Sequence, residues 1–391
     1  MITRFRVRNF RSLKDVTFEP SRINIFVGRN CAGKSNFLDA FKFLTHVATN
    51  GLSRAFADRG GFGEVCWKGR EATSVISFEL DFAFQSLNDE GLSKAHYFLE
   101  IEGSPTGLLN IRSEKLRVVT EKVTVDVIDM ASGHGTVKNL DGSKPFDSSP
   151  GNPSVSMLEF NIPGWVGTVF KTHLIGWRFY NLIPGLMKQL RMFTRADNLT
   201  EFGDNLVEFL TTLKTVYSDS FRRIEQVVKD SFPDTVELIP APTQFGQVSL
   251  SARERFLGRP VSVWQMADGE LAFIGLVALI LSPLDLGPHL FCLEEPENHL
   301  HPRLLETLVQ LLRQTQEAEL AKGQELAQLF VTTHSPYLID HFSIDELAVL
   351  EKIEGETRVI RPSDKTHLRE LLSERESGLG ELWYSGALGG V

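Results

Sequence analysis

An eight-residue stretch near the start of the chain has the composition and spacing of a phosphate-binding loop. It reads GRNCAGKS from Gly28 to Ser35 and matches the pattern GxxxxGK(S/T). Glycines let backbone N–H groups close around phosphate oxygens, and the N-terminus of a following helix adds the positive end of its dipole. Lys34 would reach the β- and γ-phosphates, and the Ser35 hydroxyl would coordinate Mg²⁺. The stretch therefore predicts a nucleotide-binding site.

Two adjacent carboxylates far downstream could bind a metal ion and activate water. Glu294 and Glu295 follow the short apolar run 290–293, which is typical of a strand buried on both faces. Open α/β sheets bind ligands at the carboxyl ends of such strands. Because side chains alternate along a strand, Glu294 can hold Mg²⁺ through water while Glu295 polarises the attacking water. The alternative for this pair is a solvated acidic turn before Pro296.

A histidine ends a third predicted strand. His334 directly follows the apolar run 329–333 in the segment LFVTTHSP. A histidine at that place can hydrogen-bond the γ-phosphate or the attacking water, and so sense whether the last phosphate is present. A lone histidine after a strand is usually structural, so only the other two motifs favour the sensor role.

Hydrophobic periodicity predicts the elements that must position these groups. A buried strand at 23–27 precedes the phosphate loop, and a helix beginning near Lys34 follows it. Alternation indicates strands over the first ten residues and at 16–18, 74–84, 95–102, 115–127, 247–250 and 261–263. The stretch 129–163 is rich in Gly, Ser, Pro and Asn, which predicts a long loop or linker. Helices are predicted at 184–193, 204–217, 218–232, 270–281 and from Pro302, and the last two, with the strands before and after, give an alternating α/β order.

Composition limits the class of protein. The chain has 391 residues, a formal net charge of −9 and three widely separated cysteines. The charge argues against general adhesion to nucleic acid or anionic membranes, although a local basic patch is compatible with it. The cysteines suggest neither a disulfide framework nor a zinc site. The longest apolar run, 271–281, is far shorter than the ~20 residues that span a bilayer, and no signal-peptide pattern opens the chain. We therefore expect a cytoplasmic protein.

Together the motifs resemble those of a known family. The phosphate loop, EEPENHLHP, TTHSP and NFRSL are similar to segments of the ABC-type ATPases of the SMC/RecF class. Within that class, the RecF-like predicted AAA family ATPases and the ATPase half of OLD (overcoming lysogenisation defect) nucleases are the most similar. The resemblance is specific over 1–50 and 264–340 and weaker in WRFYNLIP, DNLVEFLTTL and GLGELW. It implies an α/β fold, a P-loop NTPase of the ABC-ATPase head type. Such a head has a mixed central sheet with flanking helices, an antiparallel β subdomain and a helical insertion.

The resemblance also implies a role for each motif residue. In the family, two heads enclose two ATP molecules, and each phosphate loop faces the signature motif of the partner. Lys34, Glu295 and His334 would be catalytic, as the Walker A lysine, the catalytic carboxylate and the switch histidine. Ser35 and Glu294 would hold Mg²⁺. The residues that match the nucleotide-binding positions are Gly28, Asn30, Gly33, Lys34, Ser35, Asn36 and Arg11.

Some assignments leave alternatives open. Arg11, in NFRSL, would approach the base or ribose, or else be an exposed strand arginine. Gln85 is a weak candidate for the Q-loop. The pair His299 and His301 could suggest a metal site, but without a third ligand of matching spacing the D-loop assignment for 298–301 is better.

The segment QMADGEL, from Gln265 to Leu271, stands at the signature position. The residues at this position are Ala267, Asp268, Gly269 and Glu270. Where the family has a serine that donates to the partner's γ-phosphate, Ala267 has only a methyl group. Gly269 and the helix start still offer backbone donors. The loss of one charge-assisted hydrogen bond should cost about 1.5–3 kcal/mol, so we expect slow hydrolysis or a weakened ATP-bound dimer.

These assignments predict three regions and one main function. Residues 1–128 would form an N-terminal ATPase lobe with Walker A, 129–245 a linker and mainly helical insertion, and 246–391 a C-terminal ATPase lobe with the remaining motifs. We expect an ATP- and Mg²⁺-dependent homodimeric switch in antiphage defence or DNA repair that acts on a separate effector. The alternatives are an ATP-dependent scaffold with little turnover and, least favoured, the ATPase subunit of a transporter.

Two segments, residues 335–391 and the first strand, indicate which partners to expect. The segment 335–391 has no DxD pair, so we expect any nuclease or toxin to be a separate polypeptide rather than part of this chain. DNA contact would fall on a basic stripe of the first strand and turn, whose alternative is a solvated strand face. The stripe consists of Arg4, Arg6, Arg8, Arg11 and Lys14.

Overall fold

The computed structural model describes residues 1–69, 73–84, 92–104, 107–145, 151–243, 245–283, 290–323, 326–364 and 378–388. Within these residues the chain forms three β-sheets with flanking α-helices. The strands are β1 (Ile2–Phe10), β2 (Leu13–Phe18), β3 (Ile23–Val27), β4 (Val75–Ala83), β5 (Leu92–Gly103), β6 (Leu109–Thr120), β7 (Thr124–Ala131), β8 (His134–Val137), β9 (Trp177–Tyr180), β10 (Arg191–Met192), β11 (Thr235–Pro242), β12 (Gln247–Glu254), β13 (Val261–Ser262), β14 (Leu290–Glu294), β15 (Gln328–Thr333), β16 (Leu347–Ile353) and β17 (Glu356–Ile360). The helices are α1 (Lys34–Asn50), α2 (Leu52–Ala57), α3 (Phe62–Val65), α4 (Val166–Ile175), α5 (Pro184–Met187), α6 (Leu206–Val216), α7 (Ser218–Ser231), α8 (Asp268–Leu281), α9 (Pro302–Ala321), α10 (Pro336–Ile339) and α11 (Leu379–Tyr384).

The central sheet carries the predicted motifs. Its order is β17-β16-β3-β15-β14-β9, with β17 antiparallel at one edge and the other strands parallel. Every residue of β3 and β15 is buried. Their side chains alternate between two hydrophobic cores, one on each face of the sheet. Phe26 and Phe330 lie in what we call the first core, whereas Ile25 and Val331 lie in the third core, on the opposite face. Burial on both faces explains why these strands are continuous apolar runs rather than alternating ones.

The register of the central sheet brings four strand ends to one edge. Thr333 pairs with Val27, so the ends of β15 and β3 are level. Glu294 pairs with Thr332, and Leu293 pairs with Tyr180 of β9. The segments that follow β3, β15, β14 and β9 therefore meet at the carboxyl edge of the sheet, which is where α/β sheets bind ligands.

Helix α1 joins the central sheet to a second sheet. That sheet is fully antiparallel, in the order β2-β1-β4-β5-β6-β7-β8. The ring of Phe41 on α1 lies 4.4 Å from that of Phe5 on β1 and 5.0 Å from that of Phe330 on β15, between ring centroids. Burial of each aromatic side chain contributes about 1.5–3 kcal/mol. This first core therefore fixes the start of α1 against both sheets.

A third sheet packs with the helices of the predicted insertion. Strand β12 pairs with β10, β11 and β13, all antiparallel. Residues of α6, α7 and α8 complete this second core. The third core lies on the other face of the central sheet, where α9 and α11 pack. Among the described residues, no helix is both long enough and apolar enough to cross a membrane.

Three sequence-based expectations differ from the structure. The predicted strand 115–127 is part of two strands, β6 and β7. The predicted linker 129–163 begins inside a hairpin of β7 and β8, whose turn at Ser132 and Gly133 has φ values of 47° and 81°; this mirror-image turn suits a hairpin. The predicted helix 184–193 is helical only over α5, because β10 pairs with β12 and tertiary pairing overrides local propensity. The boundaries 1–128, 129–245 and 246–391 remain predictions.

Candidate nucleotide site

The phosphate loop leaves β3 and enters α1 through a left-handed glycine. Gly33 has φ 105° and is the N-cap of α1. A Cβ at this position would lie 2.1 Å from Oγ1 of Thr357, so another residue would clash as well as be strained. Gly28 is similarly confined, because a Cβ there would lie 2.4 Å from the Leu350 carbonyl oxygen. A glycine N-cap has no side chain to bond the first helical N–H groups, which also have no acceptor within the helix. The loop therefore presents backbone donors to an anion.

A chain of side-chain hydrogen bonds braces this loop from outside the motif. Asn36 Nδ2 donates to Ser12 Oγ at 2.7 Å, and Thr357 Oγ1 donates to the Ala32 carbonyl at 2.9 Å. The Ser12 and Thr357 oxygens lie 2.7 Å apart. Because the single hydroxyl proton of Thr357 is directed at Ala32, Ser12 is the donor between the two. Asn36, predicted to bind nucleotide, thus also holds the loop, and Asn30 is exposed in the turn of that loop.

The Lys34 ammonium is held at the mouth of the loop. Its Nζ donates to the carbonyl oxygens of Gly28 at 2.8 Å and Arg29 at 3.2 Å. It also lies 2.7 Å from Nε2 of His334, at the end of β15. Burial lowers the pKa of the Lys34 ammonium, although nearby Glu295 opposes that effect. The lysine is therefore oriented before any phosphate contacts it, by partners that a phosphate oxygen can replace.

His334 lies between that lysine and the second carboxylate. Its Nε2 is 3.2 Å from Oε1 of Glu295 and closer to Lys34 Nζ. Burial, and next the charge of Lys34, lower the pKa of His334. The imidazole is therefore neutral near pH 7, with Nε2 accepting from Lys34 and the proton on Nδ1. The backbone of His334 is fixed as well, because its N–H donates to Oε1 of Glu297 at 2.8 Å.

The two adjacent glutamates point to different places. Glu295 has φ 44°, and its N–H donates to the Thr332 carbonyl at 2.9 Å. This left-handed turn leaves its carboxylate beside His334, where Asn298 Nδ2 donates to Oε2 at 3.3 Å. Glu294 instead lines a cavity of about 150 Å³ together with Ser35. Burial raises the pKa of Glu294, and the charge of Lys42 opposes that effect.

The same cavity includes an amide that the sequence motifs did not single out. Asn181 follows β9, directly after the residue that pairs with Leu293, and it lines the cavity with Ser35 and Glu294. The position matters because β9 is the parallel neighbour of β14 in the central sheet. The only signal in the sequence was the weak family resemblance of the segment WRFYNLIP, which does not single out this amide. Gln85, the weak Q-loop candidate, lies outside the described residues.

Arg11 lies at the border of the site but is already paired. Its Nε is 2.9 Å from Oδ2 of Asp39 on α1, and it lines the cavity of Ser35 and Glu294. It also borders a neighbouring cleft of about 400 Å³ that contains Trp67. The other residues of the basic stripe are paired with acids: Arg4 with Glu79, Arg6 and Arg8 with Asp15, and Lys14 with Glu356. This pairing favours the solvated strand face over DNA contact.

The predicted signature segment forms the start of α8, in a different core from the phosphate loop. Ala267 is the N-cap and Asp268 the first helical residue. Gly269 is confined, because a Cβ there would lie 2.4 Å from the carbonyl oxygen of His299 in the predicted D-loop. Burial raises the pKa of Glu270. Helix α8 packs in the second core, whereas α1 packs in the first. The two segments thus pack against different cores within one copy of the chain.

The predicted D-loop turns from β14 into α9. The backbone N–H of Asn298 donates to the carbonyl oxygen of Glu295, and that of Leu300 donates to the carbonyl oxygen of Glu297, at 3.0 Å each. His299 has φ 69°, and His301 is the N-cap of α9, where its Nδ1 accepts from Arg303 N–H at 3.3 Å. His301 is therefore occupied in capping a helix. Among the described residues, no group of three or more His, Cys, Asp or Glu side chains is placed to hold a metal ion.

Two family models and one sequence relative match parts of this chain. The family model described as "AAA ATPase domain" matches residues 1–121. The model described as "AAA domain, putative AbiEii toxin, Type IV TA system" matches residues 152–340. The DNA replication and repair protein RecF of Lactobacillus acidophilus is 44% identical over 59 residues. That alignment covers 15% of this chain and 15% of RecF, so it is a local likeness.

Solved structures show the fold over most of the chain. The SMC head bound to the C-winged helix domain of ScpA is similar with a TM-score of 0.60 and 14% identity, over 92% of this chain and 97% of that one. The Smc head with an extended coiled coil, bound to the C-terminal domain of ScpA from Pyrococcus furiosus, gives 0.56 and 13%, over 95% and 99%. The predicted ABC-ATPase head fold is confirmed. The two family models, the local likeness to RecF and the SMC-head fold together support an ABC-type ATPase of the SMC/RecF class.

Proposed function

We propose that this chain binds and hydrolyses ATP with Mg²⁺, and that two copies associate around the nucleotide as a slow switch. The observation that carries the proposal is the row of Lys34, His334 and Glu295 at one sheet edge. The contacts from His334 Nε2 are 2.7 Å to Lys34 Nζ and 3.2 Å to Glu295 Oε1. Hydrolysis at the γ-phosphate requires a hydrogen-bond donor to the phosphate, an imidazole and a carboxylate close together. Lys34, the neutral His334 and Glu295 are these three groups.

The site has the groups that ATP and Mg²⁺ need. Gly33 leaves the first N–H groups of α1 without a side-chain cap, so phosphate oxygens are their natural acceptors. Ser35 and Glu294 line one cavity with Asn181. The two oxygen ligands, Ser35 and Glu294, suit a metal that keeps several waters, and Asn181 is placed to orient them. Bound Mg²⁺ would neutralise the charge that develops on the phosphates. Burial raises the pKa of Glu294, which a cation would reverse.

Each catalytic side chain then has a defined task. Lys34 exchanges its carbonyl acceptors for phosphate oxygens, and its ammonium stays in the same position. Glu295 accepts a hydrogen bond from the attacking water, and its turned backbone holds it beside His334. His334, with Nε2 released from Lys34, accepts from the attacking water, or donates to the γ-phosphate once the ring proton is on Nε2. The neutral imidazole makes hydrolysis dependent on pH in the range where histidine protonates.

Association of two copies supplies the remaining part of the site. The phosphate loop and the signature segment belong to different cores of one copy, which supports their meeting across two copies. Ala267 cannot donate to the phosphate, so we infer slow turnover or weak association. If hydrolysis were very slow, the chain would act chiefly as an ATP-dependent scaffold, the second candidate function.

The biological role we propose is control of a separate effector in antiphage defence or DNA repair. Two findings support it: the toxin–antitoxin description of the family model over 152–340, and the local likeness to a replication and repair protein. The proposed partners are a second copy of this chain and an effector polypeptide, a nuclease or toxin, in the cytoplasm.

The phosphate-loop assignment is tested by ATP turnover of the purified protein. Lys34→Ala should abolish hydrolysis, because the ammonium is the donor placed for the β- and γ-phosphates. Lys122→Ala, in an exposed turn, is the matched control and should hydrolyse ATP as wild type does. Unchanged turnover in Lys34→Ala would remove the proposal.

Dimerisation is tested with a variant that binds but does not hydrolyse. Glu295→Gln keeps the shape of the side chain but cannot polarise water, so it should accumulate an ATP-bound dimer. Light scattering with and without ATP measures this directly. A single unchanged mass under both conditions would exclude the two-copy mechanism for the isolated chain.

A further inference from the structure

A lysine outside every recognised motif holds the acid of the signature segment. Lys188 follows α5, and its Nζ donates to Oδ1 of Asp268 at 2.8 Å. The lysine side chain is 19% exposed and the aspartate 51%. The ammonium is thus fixed beside the start of α8, partly covered by protein, while its partner faces solvent.

The position of Asp268 is constrained from its other side. Gly269 packs directly on the carbonyl oxygen of His299, since a Cβ there would come within 2.4 Å of it. The signature segment therefore cannot shift away from the predicted D-loop without losing that contact. Asp268 and the Lys188 ammonium are consequently held at a defined place on the surface that would face a second copy.

This arrangement puts a cation next to a missing donor. Ala267, which precedes Asp268, has no hydrogen-bonding side chain, and an unpaired aspartate beside it would repel a phosphate. The Lys188 hydrogen bond lowers the pKa of Asp268, so the acid is ionised and paired at neutral pH. An ammonium has three N–H donors. One bond to Asp268 leaves two donors for another acceptor.

We propose that Lys188 replaces the absent serine of the signature and donates to the terminal phosphate of the nucleotide held by a second copy. This inference rests on the proposed function, because it requires the signature segment to face the partner's phosphate loop. Asp268 is then a positioning residue that aims the ammonium. A charged donor to phosphate makes a stronger hydrogen bond than a hydroxyl, so turnover persists without the serine.

The first experiment separates contact with phosphate from simple pairing with Asp268. Lys188→Gln keeps a donor for Asp268 on a side chain one atom shorter but removes the charge, and should lower ATP turnover by about tenfold or more. Asp268→Asn keeps an oxygen that can accept from the ammonium but removes the negative charge, so it should lose less turnover than Lys188→Gln does. Lys188→Arg keeps a cation and should retain most of the activity. Equal losses in Lys188→Gln and Asp268→Asn would show a structural ion pair and overturn the proposal.

The second experiment tests whether Lys188 acts across the dimer. Lys34→Ala and Lys188→Gln disable opposite halves of one composite site. In an equal mixture, half of the dimers carry one intact site, so hydrolysis should recover to about a quarter of the wild-type rate. Circular dichroism confirms that both variants are folded. If neither folded variant regains activity on mixing, Lys188 does not act in trans.

A rescue variant gives an independent readout. Ala267→Ser in the Lys188→Gln background should restore turnover, because the hydroxyl supplies the missing donor. If turnover is not restored, the proposal that Lys188 takes the place of the serine is contradicted. The outcomes also separate the proposed function from the role of Lys188. Full activity of Lys34→Ala would exclude the proposed function. An inactive Lys34→Ala together with a fully active Lys188→Gln would exclude only the role of Lys188.

Discussion

Thr357 donates through Oγ1 to the carbonyl oxygen of Ala32 at 2.9 Å, although 325 positions separate the two residues. Ala32 belongs to the phosphate loop, and Thr357 belongs to β17, the edge strand of the central sheet. Ser12 completes the link from the other side. The loop conformation is therefore set by segments at both ends of the chain, beyond its own glycines.

We predict that Thr357→Val weakens nucleotide binding while the fold persists. Valine fills the same volume but leaves the Ala32 carbonyl without its donor and the Ser12 O–H without an acceptor, at a cost of about 1–3 kcal/mol. Calorimetric titration with ATP should show the loss as a raised dissociation constant. Thr357→Ser, which keeps the hydroxyl, is the control. Equal affinities of Thr357→Val and wild type would mean that the loop holds its shape alone.

A second prediction concerns Asn181 and the metal. Asn181→Ala should raise the Mg²⁺ concentration that gives half-maximal hydrolysis by about tenfold, which is typical when a group that orients a metal's ligands is removed. ATP binding without Mg²⁺ should be unchanged, since the phosphate loop does not involve this residue. Asn139→Ala, in a distant turn, is the control. The same Mg²⁺ dependence in wild type and Asn181→Ala would separate this amide from the metal site.

A third prediction follows from a buried acid in the antiparallel sheet. Glu114 is 1% exposed and accepts from Tyr97 Oη at 3.0 Å, Ser156 Oγ at 2.7 Å and Met157 N–H at 2.8 Å. Burial raises the pKa of Glu114 above its ordinary 4.5. The folded state thus binds the proton more tightly than the unfolded state, so this contribution to stability is greatest at low pH and falls as pH rises through the folded pKa.

Glu114→Gln isolates that contribution. The amide does not titrate, but its NH₂ cannot accept from Met157, so the variant is less stable than wild type at pH 5. Because the wild-type advantage decreases as the acid ionises, the difference in urea-unfolding free energy should narrow between pH 5 and pH 8. A difference that stays constant or widens would mean that Glu114 is already ionised across this range.

Contiguous motifs allowed part of the site to be predicted from the sequence. Lys34, Glu294 and His334 each stand at or after the carboxyl end of a strand in a recognisable local pattern, and the parallel register brings those strand ends together. Asn181 and Thr357 have no such pattern around them. Their places depend on which strands are neighbours, β9 beside β14 and β17 at the edge, and pairing between distant segments leaves little local signal.

The same limit explains the errors in secondary structure. The region around β10 has helical spacing, yet Arg191 and Met192 pair with Val248 and Gln247 of β12. A two-residue strand gains its stability from the sheet that it joins, not from its own sequence. The hairpin turn at Ser132 and Gly133 was similarly hidden in a stretch whose composition suggested a linker.

The last prediction separates the two effects that a serine at position 267 would have. Ala267 has φ −67° and ψ 147°, the extended conformation in which an N-cap side chain can accept from the first helical N–H groups. Ala267→Ser should therefore raise stability by about 1 kcal/mol without ATP. It should also strengthen ATP-dependent association about tenfold, through the hydroxyl donor to phosphate. Ala267→Asp caps the helix equally well but places a negative charge where the phosphate would lie, so it should be stabilised yet associate more weakly. Thermal unfolding and light scattering in the Glu295→Gln background measure the two effects, and parallel changes in both variants would reduce the signature segment to a helix cap.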